Sequence, residues 1–479
     1  MNKKFLGLLE GFSENDWHMF GRFLESPFFV NARNHKKLFN VIKGNRNDFS
    51  KLTPAYINKL LDEDVHISTL NTRFSELYKL ALKYLYHADA EKYPLEYHTV
   101  LFKSMTERNL FSNAVSVYTQ SEDMLKPKSI YDYTNYINLV YAAGNASRKL
   151  NKIDDFFRQF AKYRDYSTVF SLYSIISNAY DSYTLDHEAI KQDRDKYIAL
   201  YKLLNMKEIV NLFGHDPLYI PVIQLHLIVQ AFLEGTDDTN YKKAFKYFDE
   251  NFKKFNEDQI SETYLRFQSI CVLRVQGGNK GYYFHYFNII KHKIKNNIPV
   301  ITENIHYGFS EFHDVVNVAL VCGEYEWTEK FVNDFADKLH PEIREGAVIC
   351  ALAGLYTEKK DFRKVYDLLS GYKKPRNKFV DSEIFIFKAV ACFELLNFDE
   401  FERLLANLAR LSEKHSALNP YFFERVNLFT LYSGKLAKQF NKPKKKIHEF
   451  IFELEKQNEY FHQKNWIKRK AEEILKGMI

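Results

Sequence analysis

Residues 325–332 read YEWTEKFV, residues 362–369 read FRKVYDLL and residues 398–405 read FDEFERLL. Each stretch opens on an aromatic residue and carries apolar residues six and seven positions later: Phe331 and Val332, Leu368 and Leu369, Leu404 and Leu405. The openings Tyr325, Phe362 and Phe398 follow one another at steps of 37 and 36 residues. Apolar residues at this spacing share one face of an amphipathic helix, and self-similarity near 35 residues marks a row of stacked helix pairs. The stretch 311–406 therefore predicts three consecutive helix-turn-helix units and, through them, an all-α chain built as a right-handed α-solenoid.

The composition fits that expectation. Of 479 residues, 46% are hydrophobic and 16% aromatic, ample for burial and incompatible with wholesale disorder. Only 17 glycines and 11 prolines are present, too few for a turn-rich β-sandwich or for the glycine-lined loops of nucleotide enzymes. Lys and Arg total 68 against 61 Asp and Glu, a net charge of +7. Over so long a chain this permits an acidic partner without pointing to one. Cys271, Cys322, Cys350 and Cys392 stand singly, which gives neither a CxxC clip nor a disulfide framework and fits a reducing compartment. The opening MNKKFLGLLEGFS is interrupted at Glu10, too early for a secretion signal, and no run of 18 apolar residues follows. A soluble, cytoplasmic protein is expected.

Residues 1–92 read as an N-terminal helical domain. Ser13, with Asp16 three residues on, caps a helix through Trp17, Phe20 and Phe23, and Asn31 caps a second through Leu38, Phe39 and Ile42. Thr53 and Pro54 start a third through Ile57, Leu60 and Leu61. A long helix from about Ser68 to Asp89 carries Leu70, Phe74, Leu77, Ala81 and Tyr84. The stretch FLESPFFVNARNHKKLF at 23–39 resembles the front end of an uncharacterised family of bacterial helical proteins, which share a Phe-Leu-x-Ser-Pro element ahead of a repeat region. That resemblance implies a helical fold and carries no activity.

Residues 93–440 read as the repeat array. Phe111, Ala114 and Tyr118, and again Tyr241, Ala244 and Phe248, occupy the aromatic, small and aromatic positions that open a second helix in tetratricopeptide repeats, a superfamily the chain resembles in degenerate form. Thr328, Val365 and Phe401 replace the small residue in the last three units. Ala353 and Ala389 keep the small position of the first helix, nine residues before Phe362 and Phe398, whereas Phe102 and Phe232 depart from it. Further helices are expected over 136–143, 156–163, 169–180 and 193–204, with a turn at Gly277, Gly278 and Gly281. Residues 441–479 supply closing helices, one from Lys445 to about Asn458 and one from Trp466 to Leu475, which keep the last repeat from exposing an apolar face. In the tetratricopeptide superfamily the exposed side of first helices holds the ligand. The resemblance thus implies a protein- or peptide-binding scaffold, with Glu96, Thr99, Lys103, His313, Asn317, Glu383 and Phe393 as partner-binding residues.

Patterns that carry chemistry are sparse. His285 and His292, like His306 and His313, are seven apart, about two helical turns, too far to share one ion unaided. Gly277 to Gly281 lacks the spacing of a phosphate loop. The acidic run Asp62, Glu63 and Asp64, with His66, stands before a helix whose dipole it favours. Consecutive Asp186, His187 and Glu188 would point apart on a helix. Neither GxSxG nor a paired Cys-His arrangement occurs. The sequence thus points to no catalytic site, cofactor or metal. The alternative is a DNA-binding regulator with the array as its sensor. In it the helix at 54–61, the turn and the helix from Ser68 form a helix-turn-helix, and Ser68, Thr69, Asn71, Thr72 and Arg73 can reach bases. Lys442, Lys444, Lys445 and Lys446 add a basic run.

Overall fold

The computed structural model describes residues 3–29, 35–127, 129, 132–184, 193–233, 237–298, 309–372, 377–440, 442–457, 461 and 463–477. Among them the chain is all-α, with 24 α-helices and no strand. None of these helices is long and apolar enough to cross a membrane. Contacts divide the chain into two compact units, one of Met1–Asn178 with Lys207–Val222 and one of Ala179–Met206 with Ile223–Ile479.

In the first unit, α1 (Lys3–Glu10), α2 (Glu14–Phe23), α3 (Lys36–Gly44), α4 (Pro54–Leu61) and α5 (Ile67–Asp89) close around Phe5, Phe20, Phe39, Phe74 and Leu77. The caps are largely those the sequence offers. Ser13 and Asp16 form a reciprocal capping box, and Asp16 also accepts a 2.9 Å hydrogen bond from the Tyr84 hydroxyl, which ties α2 to α5. Thr53 Oγ1 accepts from the Tyr56 amide at 3.3 Å, with Pro54 in the first turn. The long helix is capped by His66 Nδ1 rather than by Ser68, and so starts at Ile67. The cap expected at Asn31 lies outside the described residues. Next, α6 (Pro94–Glu107), α7 (Phe111–Ser121) and α8 (Tyr133–Lys149) surround Phe102, Ala114, Tyr118 and Val140. Residues 156–180, expected as two helices, belong to one, α9 (Ile153–Thr184). No proline or glycine interrupts this run, and the hydroxyls of Ser167 and Thr168 fold back onto the Arg164 carbonyl without breaking it.

The helices that follow are α10 (Arg194–Leu203), α11 (Met206–Phe213), α12 (Ile220–Leu233), α13 (Thr239–Asn251), α14 (Glu257–Gln276) and α15 (Tyr282–Lys295). The three C-terminal pairs are α16 (Phe309–Val321) with α17 (Tyr325–Phe335), α18 (Pro341–Glu358) with α19 (Phe362–Ser370), and α20 (Lys378–Glu394) with α21 (Phe398–His415). Their second helices open at Tyr325, Phe362 and Phe398, the residues that set the period. Each of these helices packs on the next, and α16, α18 and α20 also pack in sequence on one another. Small residues permit this approach. Ala353 and Ala389 are fully buried, and a Cβ on Gly354 would stand 3.1 Å from Leu320 of α16 and 3.4 Å from Phe387 of α20.

The turns repeat as faithfully as the helices. Asn109, Asn151, Gly323, Lys360 and Leu396, with φ of 60°, 56°, 76°, 60° and 62°, each stand two residues before a helix. The residue after each donates its amide to a carbonyl five back, as from Glu324 to Ala319, Asp361 to Tyr356 and Asn397 to Cys392. This is the six-to-one bond of a Schellman turn, whose left-handed residue suits glycine or asparagine. Leu396 fits that backbone poorly, and its side chain, 60% exposed, gains little in return. Leu396→Gly is expected to stabilise the protein by about 0.5–1 kcal/mol in urea unfolding at pH 7, the relieved left-handed strain outweighing the extra freedom of the unfolded chain.

At the C-terminus, α22 (Pro420–Ala437), α23 (Lys444–Lys456) and α24 (Lys464–Leu475) share one core with α20 and α21, built on Phe393, Phe401, Phe429, Phe450 and Trp466. The closing helices are thus continuous with the last pair.

Candidate functional site

Helix α16 buries Phe312, Val315, Val316, Ala319 and Leu320, a three-and-four pattern that turns its other face toward polar neighbours. On that side stand His313, Asp314 and Asn317. The Phe309 ring stacks on His313 at 5.1 Å. The Asn317 amide donates to His313 Nδ1 at 3.1 Å, which leaves the ring proton on Nε2. That nitrogen lies 3.8 Å from Glu383 Oε2 of α20, too far for a hydrogen bond. The two groups do not form an ion pair at neutral pH. Burial pushes the Glu383 carboxyl up to about 8, helped by the Asp314 carboxylate, and burial pushes His313 down to about 4. Asp314 keeps an exposed side chain, and partial desolvation on its protein side raises it to about 6; Arg425 of α22 pulls it back and Glu311 adds to the rise. Near pH 7 the pair therefore consists of a neutral imidazole and a protonated carboxyl, since removing either charge from water costs more than their attraction returns.

Of the seven residues that the repeat register assigns to a ligand face, the structure brings these three together, from helices some 70 residues apart. Glu383 nevertheless lies under the surface rather than on it, 2% exposed. Phe393 is likewise in the core, edge-on to Phe398, Phe401 and Trp466. Carrying a position over by a fixed offset assumes that each first helix keeps an open side. Helix α20 has neighbours all round and buries Val380 to Ile384 without a break. Convergent groups with shifted titration resemble an acid-base site, but a carboxyl this deeply buried cannot touch a substrate atom. The reachable groups beside it are Glu311, Asp314, Asn317 and Arg425. Sequence spacing missed Asp314 and Arg425 because they come from different pairs and meet only in the fold.

The other three assigned residues share α6. Glu96 is exposed and accepts from the Asn135 amide at 3.3 Å. Thr99 bonds its own helix through the Leu95 carbonyl at 2.8 Å. Lys103 is exposed. Glu96 lines a cleft of about 620 Å³ between the end of α5 and α6, together with Tyr86, Tyr93 and Tyr97. The signal for it was present in the sequence: Tyr93, Tyr97 and Val100 make a second helical apolar stripe beside the buried one of Leu95 and Phe102.

The remaining motifs have local roles. His285 Nε2 lies 2.8 Å from Asp238 and His292 Nε2 2.9 Å from Asp249, so both join α15 to α13 or its cap. The Tyr264 hydroxyl donates to His292 Nδ1 at 2.6 Å. Gly277 ends α14, and Gly278 at φ +92° makes the turn. His306, Asp186, His187 and Glu188 lie outside the described residues. In the helix-turn-helix order, Leu70, Phe74 and Leu77 pack inside the N-terminal core, leaving Ser68, Asn71 and Thr72 exposed. The one arginine there, Arg73, is held 2.7 Å from Glu63, and the Asp62 to Asp64 run beside it would repel phosphate. Lys446 pairs with Glu449 at 2.8 Å. No family model matches this chain, and no curated protein or solved structure matches it either.

Proposed function

We propose that the chain is a non-catalytic scaffold of the cytoplasm: an α-solenoid of degenerate tetratricopeptide-like helix pairs that binds a protein or peptide segment along its first helices. The observation that carries this reading is the meeting of His313, Asn317 and Glu383. Three residues chosen by repeat register alone converge on one polar patch of α16 and α20. The ordered packing of α16, α18 and α20 and the shared Schellman turns support the same register. On this reading the buried Glu383 and His313 shape the patch from beneath, while Asn317, Asp314 and Arg425 face the ligand. Affinity capture from a cytoplasmic lysate tests it. Asn317→Ala combined with Arg425→Glu is expected to lose at least one partner that the wild-type chain retains, with helical circular dichroism unchanged. Identical partner sets for the two proteins would remove this face as the binding surface.

A further inference from the structure

The cleft between α5 and α6 belongs to the first compact unit, the patch on α16 and α20 to the second. Helix α6 has two apolar sides: Leu95 and Phe102 enter the core, while Tyr97 and Val100, with Tyr93 at the N-cap, line another, Tyr93, Tyr97 and Val100 being 59%, 43% and 57% exposed. Tyr86, at the end of α5, adds a ring that is 63% exposed. These three rings are exposed together along one cleft, and among the described residues none of their hydroxyls is hydrogen-bonded. An exposed apolar patch of this kind marks an interaction surface. Its charge narrows the occupant. The cleft is lined by the carboxylates Asp89 and Glu96 and by no lysine or arginine. Asp89 is paired with Lys92 only at the exposed surface, where such a pair is weak and readily exchanged, and Glu96 keeps a second oxygen beyond its contact with Asn135.

Electron-rich ring faces beside carboxylates attract a cation whose stem is apolar. A guanidinium satisfies both requirements, since its plane lies on tyrosine rings while its edge meets a carboxylate. We propose that this cleft binds an arginine side chain of a partner peptide, with Tyr86, Tyr93 and Tyr97 receiving the guanidinium and its stem, and Glu96 taking its charge. Val100 and Leu101 extend the floor for an apolar neighbour of that arginine.

The test is fluorescence anisotropy with the full chain and a fluorescein-labelled Gly-Leu-Arg-Leu-Gly peptide, alongside the same peptide carrying citrulline, the uncharged isostere, in place of arginine. Saturable binding of the arginine peptide is expected, at least tenfold weaker with citrulline and at least tenfold weaker for Tyr97→Ala and for Glu96→Gln. Both variants change exposed side chains, and their folding is checked by circular dichroism. Glu413→Gln, an exposed change on α21, is expected to bind the peptide as wild type does. Equal affinity for the citrulline peptide, no saturable binding, or unchanged binding by both variants would each overturn the assignment. So would self-association of the wild-type chain that Tyr97→Ala abolishes, which would give the cleft to a second copy.

Discussion

Glu383→Gln is expected to make the protein more stable than wild type at pH 8.5, with an advantage that shrinks as the pH falls and is nearly gone at pH 5. The sign follows from the proton. The carboxyl rises from an ordinary 4.5 to about 8 on folding. Between those values the folded protein keeps a proton that the unfolded chain releases, so rising pH favours unfolding. Below 4.5 both states hold the proton and nothing is lost. Glutamine has the shape of the protonated acid without the proton, so it escapes the loss. At about 1.4 kcal/mol per pH unit the difference between pH 5 and pH 8.5 amounts to roughly 3–5 kcal/mol. His313 acts in the opposite sense and in another window. It falls from 6.5 to about 4, so its neutral burial costs stability as the pH drops from 6.5. Asp314, raised from 3.8 to about 6 but exposed to solvent, adds only a screened, smaller loss that ends near pH 6. The interval from 6.5 to 8 therefore belongs to Glu383. Urea unfolding of both proteins across pH 5 to 9 reads the difference directly, and a stability gap that does not change with pH would show that Glu383 is ionised in the fold.

Trp466→Ala is expected to cost about 3–5 kcal/mol, in the range for deleting a large buried aromatic ring. Trp466 of α24 is 3% exposed, and its ring meets Phe393 edge-on at 5.2 Å. Its indole N–H donates to Glu394 at 2.8 Å, and Lys470, one turn on, holds the other oxygen of that carboxylate at 2.7 Å. The two bonds pin the last helix to α20. Trp466→Phe keeps most of the ring while removing the donor. It should cost about 1–3 kcal/mol, the value of a hydrogen bond to a charged group and of leaving its acceptor unmet. Thermal unfolding followed by circular dichroism, with limited proteolysis at the C-terminus, should rank the proteins as wild type, Trp466→Phe and Trp466→Ala. Equal stability of all three would mean that α24 does not close the core.

The placement of Phe393 shows where sequence spacing reaches its limit. Counting from Phe398 sets it on the side of a first helix that the tetratricopeptide resemblance expects to be open, yet α21 and α24 both cover that side. The helix that supplies Trp466 begins some 70 residues later, so no local pattern could announce it. The burial of Glu383 was hidden in the same way, since it comes from α16 and from its own helix's neighbours rather than from anything adjacent in sequence. The tyrosine stripe of α6 was legible as periodicity, but whether a second apolar face is covered or bare depends on what packs beside it.

Helix existence, the opening residues Tyr325, Phe362 and Phe398, the caps at Ser13 and Thr53 and the turn at Gly278 were all legible in the chain. Each is settled within a few residues, by backbone hydrogen bonds, φ preference and the 3.6-residue period. The Schellman turns were half legible, through Asn109, Asn151 and Gly323; at Lys360 and Leu396 packing on both sides forces a left-handed residue that local preference would refuse. Burial, protonation and convergence belong to the tertiary structure alone. They depend on which distant surface removes a side chain from water, and for Glu383 and His313 that removal decides whether a charge exists at all.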